Sequence, residues 1–386
     1  MKHDLLKEYR NRFHKEPEHL FFCPGRINLI GEHIDYNGGK VMPCAINLGT
    51  YLAMSRNTEK LLRMQSMDFP EAAVFHLQDS YSKTGKAWYN YPLGVISYLQ
   101  EEGHNNLSGL DMLYGGDLPL SSGLSSSASV EMVTAFALND LFRMKVSKTD
   151  LALLCKKVEN KFIGVNSGIM DQFAVAMGKE GHAILLDCDT LEHEYIPVQL
   201  KEYVLVIINT NKPRNLIESA YNERFIECGK ALTALKTVIP VKNLCEIAPD
   251  EFLLHRHVIN DPVLEKRALH VVFENDRVKQ AVKALKANDL VAFGKLMYAS
   301  HQSLEELYEV SGEELDTIVH FCKAYNGCIG ARMTGAGFGG CAIAIVKRDC
   351  ADDFAAKCTA HYQEQIGYAC DVFATSICDG VREVIS

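Results

Sequence analysis

No uncharged apolar run in the sequence approaches the ~20 residues that a membrane-spanning helix needs. The opening residues, MKHDLLKEYR, are charged and lack the apolar core of a secretory signal. There is no CxxC pair, and the 13 cysteines are odd in number and scattered singly. That excludes a disulfide framework and a cysteine-rich zinc site, and it points to free thiols in a reducing compartment. Cys155, Cys341 and Cys378 sit in apolar runs, where a thiol packs as a small hydrophobe. Positive charge is in deficit: 40 Lys and Arg face 49 Asp and Glu, for a formal net charge of -9. This balance argues against a nucleic-acid or anionic-membrane partner. No GxxxxGK[ST] occurs, which excludes a Walker A loop. No internal repeat is visible. The absences together leave a cytoplasmic protein that spans no membrane.

What is there is an ordinary folded composition, 47% hydrophobic and 23% charged, spread over 386 residues. That length exceeds what one hydrophobic core usually holds, so two domains are expected. Amphipathic spacing predicts a helix from Asp4 to His14, then strands in HLFFCPGRINLIGEH, VMPCAINLGTYLAMSR, LLRMQSMD and AVFHLQD. Helices are predicted in NYPLGVISYLQEEG, over Ser129–Phe142 and over Asp150–Phe162, with strands in LSGLDMLYGGDLPL, HAILLDCDTLEHEYIPV and EYVLVIINT. Beyond Asn211 the texture changes to long helices, predicted over Leu216–Ile239, Pro262–Ala284, Leu290–Tyr308 and Glu313–Ala324. The tail reads strand, helix, strand. The fold class is α+β, with domains over 1–205 and 206–386.

The segment PLSSGLSSSASVEMV, Pro119 to Val133, puts six serines and one glycine into ten residues and then turns apolar. A helix beginning there offers unpaired N–H groups and the positive end of its dipole, a ready anion site. Close approach of a polyphosphate to that backbone requires small residues, and the hydroxyls add donors. A serine at the helix start can also give its oxygen to a nucleotide-borne Mg²⁺. The plain alternative is a serine-rich turn with Ser127 as N-cap.

Two further segments concentrate chemistry. In CPGRINLIGEHIDYNGGKVMP, Cys23–Pro43, Arg26 stands at the mouth of an apolar strand, and Glu32, His33 and Asp35 fall within four residues. Such a loop suits a polyhydroxylated ligand, because carboxylates accept from hydroxyls and an imidazole donates or accepts. A solvated acidic loop is the alternative. In GARMTGAGFGGCAIAIV, Gly335, Gly337 and Gly340 have GxGxxG spacing, yet the run feeds a strand rather than a helix. It therefore reads as a loop whose backbone approaches a ligand, or as a tight turn, and not as a dinucleotide fingerprint.

In this order and spacing, GRINLIGEHIDYNGG, PLSSGLSSSAS and GARMTGAGFGGC resemble the three motifs of the galactokinase family in the GHMP kinase superfamily. The resemblance covers essentially the whole chain. It implies an N-terminal domain like ribosomal protein S5 domain 2, a ferredoxin-like C-terminal domain and a cleft between them. It also implies phosphoryl transfer from ATP to the anomeric hydroxyl of galactose. The family's proton-accepting aspartate falls on Asp171 and its charge-stabilising arginine on Arg26. Its sugar positions fall on Glu32, His33, Ile34, Asp35, Gly168 and Tyr221. Its nucleotide contacts fall on Ser121, Ser122, Gly123, Leu124, Ser125, Ser126 and Ser127, with a weaker match at Ser66. Its Mg²⁺ ligands fall on Ser127 and Glu159. The sequence departs from many relatives at Ser121-Ser122, where glycine or alanine is frequent, and at Lys40, where histidine is often seen. The implied partners are the small molecules galactose and ATP, bound by a monomer.

Several of these residues also have a plain local role. Asp171 reads as the N-cap of a helix through QFAVAM. Glu159 reads as an exposed position one turn from Lys156, Arg26 as half of a surface ion pair, and Tyr221 as an amphipathic helix residue. Three motifs in register displace these alternatives together. Two rival functions share the motifs: a kinase acting on N-acetylgalactosamine, and a sensor that holds sugar and nucleotide without turnover. Asp171 has two possible tasks, removing the sugar proton or only holding the hydroxyl in line.

Overall fold

The apolar segment after Glu18 forms the strand His19–Asn28, buried along almost its whole length. The computed structural model describes residues 1–78, 80–119, 122–165, 167–212 and 217–385. In it this strand lies second in a six-stranded sheet of order 382–385, 19–28, 43–57, 109–116, 61–66, 73–76. Neighbours run antiparallel except 61–66 beside 109–116. Helices Asn90–Glu101, Ser126–Leu141, Lys148–Lys157 and Met170–Met177 pack on one face. Phe21, Leu52, Met54, Leu93, Met132 and Leu138 share that core. The first helix, Lys2–Phe13, covers the other face with Leu5 and Tyr9 against Leu20 and Leu113. A small sheet of Lys40–Val41, His182–Asp187 and His193–Pro197 completes this half.

The second half is built on an antiparallel sheet of order 328–334, 341–347, 203–209, 371–375. Its helices include Ile217–Leu235, Pro262–Lys286, Leu290–Ser303, Glu313–Ala324 and Ala351–Ile366. Val206, Ile208, Val271, Phe293, Ile318 and Ile343 lie in its core. Among the described residues, no helix is long and apolar enough to cross a membrane.

The sheets bear on the expected limits of 1–205 and 206–386 at two places. A division at 205 cuts through the strand Tyr203–Asn209, which pairs wholly within the second sheet. The chain end does not stay with the second half either, because Arg382–Ile385 returns to pair with His19–Asn28. Two predicted helices also end early. Lys148–Lys157 and Leu290–Ser303 each widen into a π-helical turn, Val158–Ile163 and Leu304–Tyr308. Each is a single turn at a helix end, too short to show a period of its own in the sequence.

The strand His19–Asn28 serves both cores. Phe21 and Cys23 face the first, and Ile27 faces the second. The change comes at a bulge between Pro24 and Gly25, where the register against Gly49 and Ile46 shifts. A bulge re-aims the side chains that follow it. Here the next residue is Arg26.

Candidate active site

Arg26 is 5% exposed and points from that bulge to the head of the helix Ser126–Leu141. Its Nε donates to Asp171 Oδ1 and its Nη2 to Asp171 Oδ2, both at 2.9 Å. Its Nη1 donates to the Gly123 carbonyl at 2.6 Å, and its backbone N–H to the Leu124 carbonyl at 3.1 Å. Gly25 is needed for this approach: a Cβ there would meet the Leu124 carbonyl oxygen at 2.7 Å. The serine loop is thus fastened to the bulge by backbone and side chain alike.

The helix head is left open to a ligand. Its N-cap, Ser125, makes no side-chain cap and sits at φ 64, a left-handed conformation uncommon for serine. Its hydroxyl instead donates to Asp171 Oδ2 at 2.5 Å. Ser127 lies inside the first turn rather than at the cap, and its hydroxyl donates to Glu159 Oε1 at 2.6 Å. With no side-chain cap from Ser125, the first-turn N–H groups stand at the positive end of the helix dipole. Ser122 is 2% exposed and donates to the Pro119 carbonyl, so its hydroxyl shapes the loop. Ser129 ties the helix to the strand through the Cys23 carbonyl at 2.7 Å.

Beside Arg26 and Asp171 opens a cavity of about 360 Å³. Glu32, His33, Asp35, Gly168 and Tyr221 line it, and the backbone of Gly335 and Ala336 closes one side. The Glu32 carboxylate accepts from Asn28 Nδ2 at 2.7 Å and from the Gly335 N–H at 2.5 Å. Burial pushes its carboxyl up from the usual range, and the Arg332 charge pulls it back. Burial, with Glu32 nearby, raises the Asp35 carboxyl to about 6. His33 reaches the Ala336 carbonyl through Nε2 at 3.1 Å and Tyr36 through Nδ1 at 2.9 Å. A carbonyl only accepts, so the network assigns the proton to Nε2 and makes Nδ1 the acceptor. Burial lowers this imidazole to about 4, which keeps it neutral. Tyr221 lies against the His33 and Tyr36 rings, 5.4 Å from each.

On the far side of the helix head a second cavity of about 500 Å³ is walled by Ser66, Phe69, Trp88, Tyr91, Tyr114 and Ser127. Phe69 and Trp88 are stacked at 13° with centroids 6.3 Å apart. Ser66 is 4% exposed, and its hydroxyl accepts from the N–H groups of Asp68 and Phe69, fixing the turn at the cavity wall. A polar helix head therefore separates an acidic, hydroxyl-accepting cavity from an aromatic one.

Ser127 and Glu159 form an all-oxygen pair at the junction, the donor chemistry that a hard divalent cation prefers. The π turn swings Glu159 inward to 7% exposure, and Gln172 Nε2 donates to its other oxygen at 2.9 Å. The pair fits Mg²⁺. A separate grouping of His301, Glu305 and Asp316 does not fit a cation. There the Met333 N–H donates to His301 Nδ1 at 3.2 Å, so the ring proton sits on Nε2, facing Asp316.

The structure brings together Arg26, Asp171, Glu32, His33, Asp35, Gly168 and Tyr221 on one cavity, and Ser66, Ser126 and Ser127 on the other. Ile34 departs from expectation. Its side chain is 0% exposed in the core, and its carbonyl accepts from Asn37 and Gly39 to close the loop. Asp171 does not cap its helix: Ile169 is the N-cap of Met170–Met177, and the carboxylate turns to Arg26 instead. Ser121 lies outside the described residues. Sequence reasoning missed Asn222 and Ala336, which line the cavity beside Arg26, and the fully buried Glu131, Gln172 and Arg332. For Glu131 and Arg332 a signal existed, a lone charge inside an apolar helix or strand.

Comparison with known proteins agrees with this geometry. The galactokinase galactose-binding signature matches residues 7–56, the GHMP kinase N-terminal domain 90–179 and the GHMP kinase C-terminal domain 281–364. A galactokinase of Clostridium beijerinckii is 48% identical over 382 residues, with 98% of each chain covered. One from Lactiplantibacillus plantarum is 48% identical over 384 residues, with 99% of each covered. The crystal structure of Lactococcus lactis galactokinase complexed with galactose superposes with a TM-score of 0.93 at 44% identity, covering 99% of both chains. A mevalonate kinase structure matches at a TM-score of 0.68 and 19% identity, covering 93% of this chain and 99% of its own, a likeness of fold alone.

Proposed function

The chain belongs to the galactokinase family of the GHMP kinases, and from that premise we propose how its residues share the work. It is an ATP-dependent transferase that phosphorylates galactose at the anomeric hydroxyl, giving galactose 1-phosphate and ADP. The cavity beside Arg26 takes the sugar. Glu32, Asp35 and Tyr221 read its hydroxyls, with Gly168 leaving room beside Asp35. The aromatic cavity takes the nucleotide base, and the loop from Ser122 to Ser127 takes the phosphates on its amides and hydroxyls.

A new bond forms between the sugar O1 and the γ-phosphorus, and the bond from that phosphorus to the β–γ bridging oxygen breaks. Little covalent help is needed; alignment and positive charge around a loose transition state are. Arg26 supplies a fixed cation. Asp171 orients the sugar hydroxyl and receives its proton. Ser127 and Glu159 would hold Mg²⁺, which when bound with ATP would offset the charge of the phosphate chain. The 13 free thiols favour a reducing compartment, the cytoplasm.

The observation that carries this reading is the 2.5 Å bond from Ser125 to Asp171. It leaves one hydrogen bond between the phosphate loop and the carboxylate that faces the sugar. A panel of free sugars with Mg-ATP, with the phosphate position read by NMR, tests it. Galactose 1-phosphate is expected as the dominant product. Phosphate on another oxygen, faster use of N-acetylgalactosamine, or binding without turnover would each overturn it.

A further inference from the structure

Among the described residues Arg332, in the strand Cys328–Thr334, is the largest fully buried side chain, at 0% exposure. A guanidinium so placed carries a large desolvation cost that only close partners offset. Its partners all lead towards the sugar cavity. Nη1 donates to the Asn28 carbonyl at 2.9 Å and reaches Glu32 Oε1 at 3.5 Å. Nε donates to Ser300 Oγ at 3.2 Å. Ser300 in turn donates to Glu274 Oε1 at 2.6 Å, and that oxygen also accepts from the Gly31 N–H at 2.9 Å. The segment from Asn28 to Glu32 is therefore held at both ends by one buried network. Glu274 has its own cation, Arg277 Nε, at 2.6 Å. His270 is neutral, lowered by burial to about 3, and adds no charge. That leaves Arg332 as the counter-ion of Glu32.

The acceptor sites of Glu32 are nearly used up. Oε1 takes the Gly335 N–H and Arg332, and Oε2 takes Asn28. A carboxylate offers about four acceptor sites, so about one remains, on Oε2. Arg332 Nη2 is buried with no partner among the described residues, so this side chain is not placed to maximise its own hydrogen bonding.

We infer that Arg332 is a positioning residue for sugar recognition: from behind Glu32 it fixes that carboxylate so that a single acceptor site meets one ligand hydroxyl. It acts on affinity and on the choice between epimers, and not on phosphoryl transfer. This rests on Glu32 being a sugar contact.

The test is a double-mutant cycle with galactose affinity read by calorimetry without nucleotide, alongside steady-state kinetics. Arg332→Lys keeps the charge and loses the fork. It is expected to weaken galactose binding and raise its KM roughly 10- to 100-fold, with kcat within about twofold and KM for ATP unchanged. Discrimination against glucose should fall in parallel. Glu32→Gln with Arg332→Met removes the buried pair together, which keeps a folded comparison if Arg332→Lys is unstable. It should bind galactose no more weakly than Glu32→Gln alone, because the effect of Arg332 on the sugar runs through the Glu32 carboxylate. Additive losses in the double variant, or a fall in kcat with galactose affinity intact, would overturn the inference. If Glu32→Gln itself leaves galactose binding unchanged, the sugar-site reading fails first, and the two failures are distinguished.

Discussion

Arg26 grips Asp171 through two parallel bonds of 2.9 Å while a third N–H reaches the Gly123 carbonyl at 2.6 Å. One planar fork thus fixes the sugar-facing carboxylate and the phosphate loop at once. A lysine offers a point charge in its place and can satisfy only part of that set. Arg26→Lys is expected to lower kcat by roughly 10²- to 10³-fold with a smaller change in galactose KM. A coupled ADP-release assay on folded protein checks it.

Glu159 is held by Gln172 on one oxygen and presents the other to Ser127. Removing the carboxylate should weaken cation binding and leave the sugar cavity alone. Glu159→Gln is expected to raise the Mg²⁺ concentration for half-maximal activity by roughly tenfold or more. Galactose affinity measured by calorimetry without metal should not move.

Asp35 is raised to about 6 by burial, with Glu32 adding to it, whereas His33 is lowered to about 4. Between those values Asp35 gains a proton as the pH falls and then loses acceptor capacity, and the Glu32 carboxyl, also raised by burial, shifts in the same direction. The kcat/KM for galactose is expected to drop below about pH 6 in wild type. The sign on stability is opposite. A carboxyl raised by folding contributes fully below its unfolded value of about 4, and that contribution is lost as pH climbs through about 6. Asp35→Asn should therefore raise Tm at pH 8 more than at pH 5 while weakening galactose binding.

Glu131 is fully buried beside Gln172, and among the described residues neither its two oxygens nor Gln172 Oε1 is in a well-formed hydrogen bond. Burial, then the Glu159 charge, pushes its carboxyl well above the ordinary range. A neutral acid there offers the proton that Gln172 Oε1 lacks. Stability from this group is present at low pH and declines as pH rises towards its folded value. Glu131→Gln is expected to keep stability within about 1 kcal/mol and to be the more stable protein in alkali, whereas Glu131→Ala should cost about 2–4 kcal/mol. Denaturant unfolding at two pH values separates them.

Much of the site was legible because its residues concentrate at element ends. Ser122–Ser127 precede an apolar helix, and Arg26, Glu32 and Asp35 crowd one loop, patterns that local chemistry makes visible. Asp171 was not legible locally, since an aspartate before QFAVAM looks like a cap; its partners lie 46 and 145 residues away. Arg332 and Glu32 meet across 300 residues, a contact that no spacing rule reports. The π turn that buries Glu159 hides for the opposite reason, because it is local but only one turn long. The closing strand Arg382–Ile385 is four residues long, too short to carry alternation.

The most direct measurement is turnover of Asp171→Asn with galactose binding followed in the same preparation. The asparagine keeps the size of the side chain and a hydrogen bond to the sugar, but it cannot take the proton or pair with the Arg26 charge. The account predicts galactose binding within about tenfold of wild type and kcat lowered by roughly 10²- to 10⁵-fold. Near-normal turnover by the folded variant would contradict it.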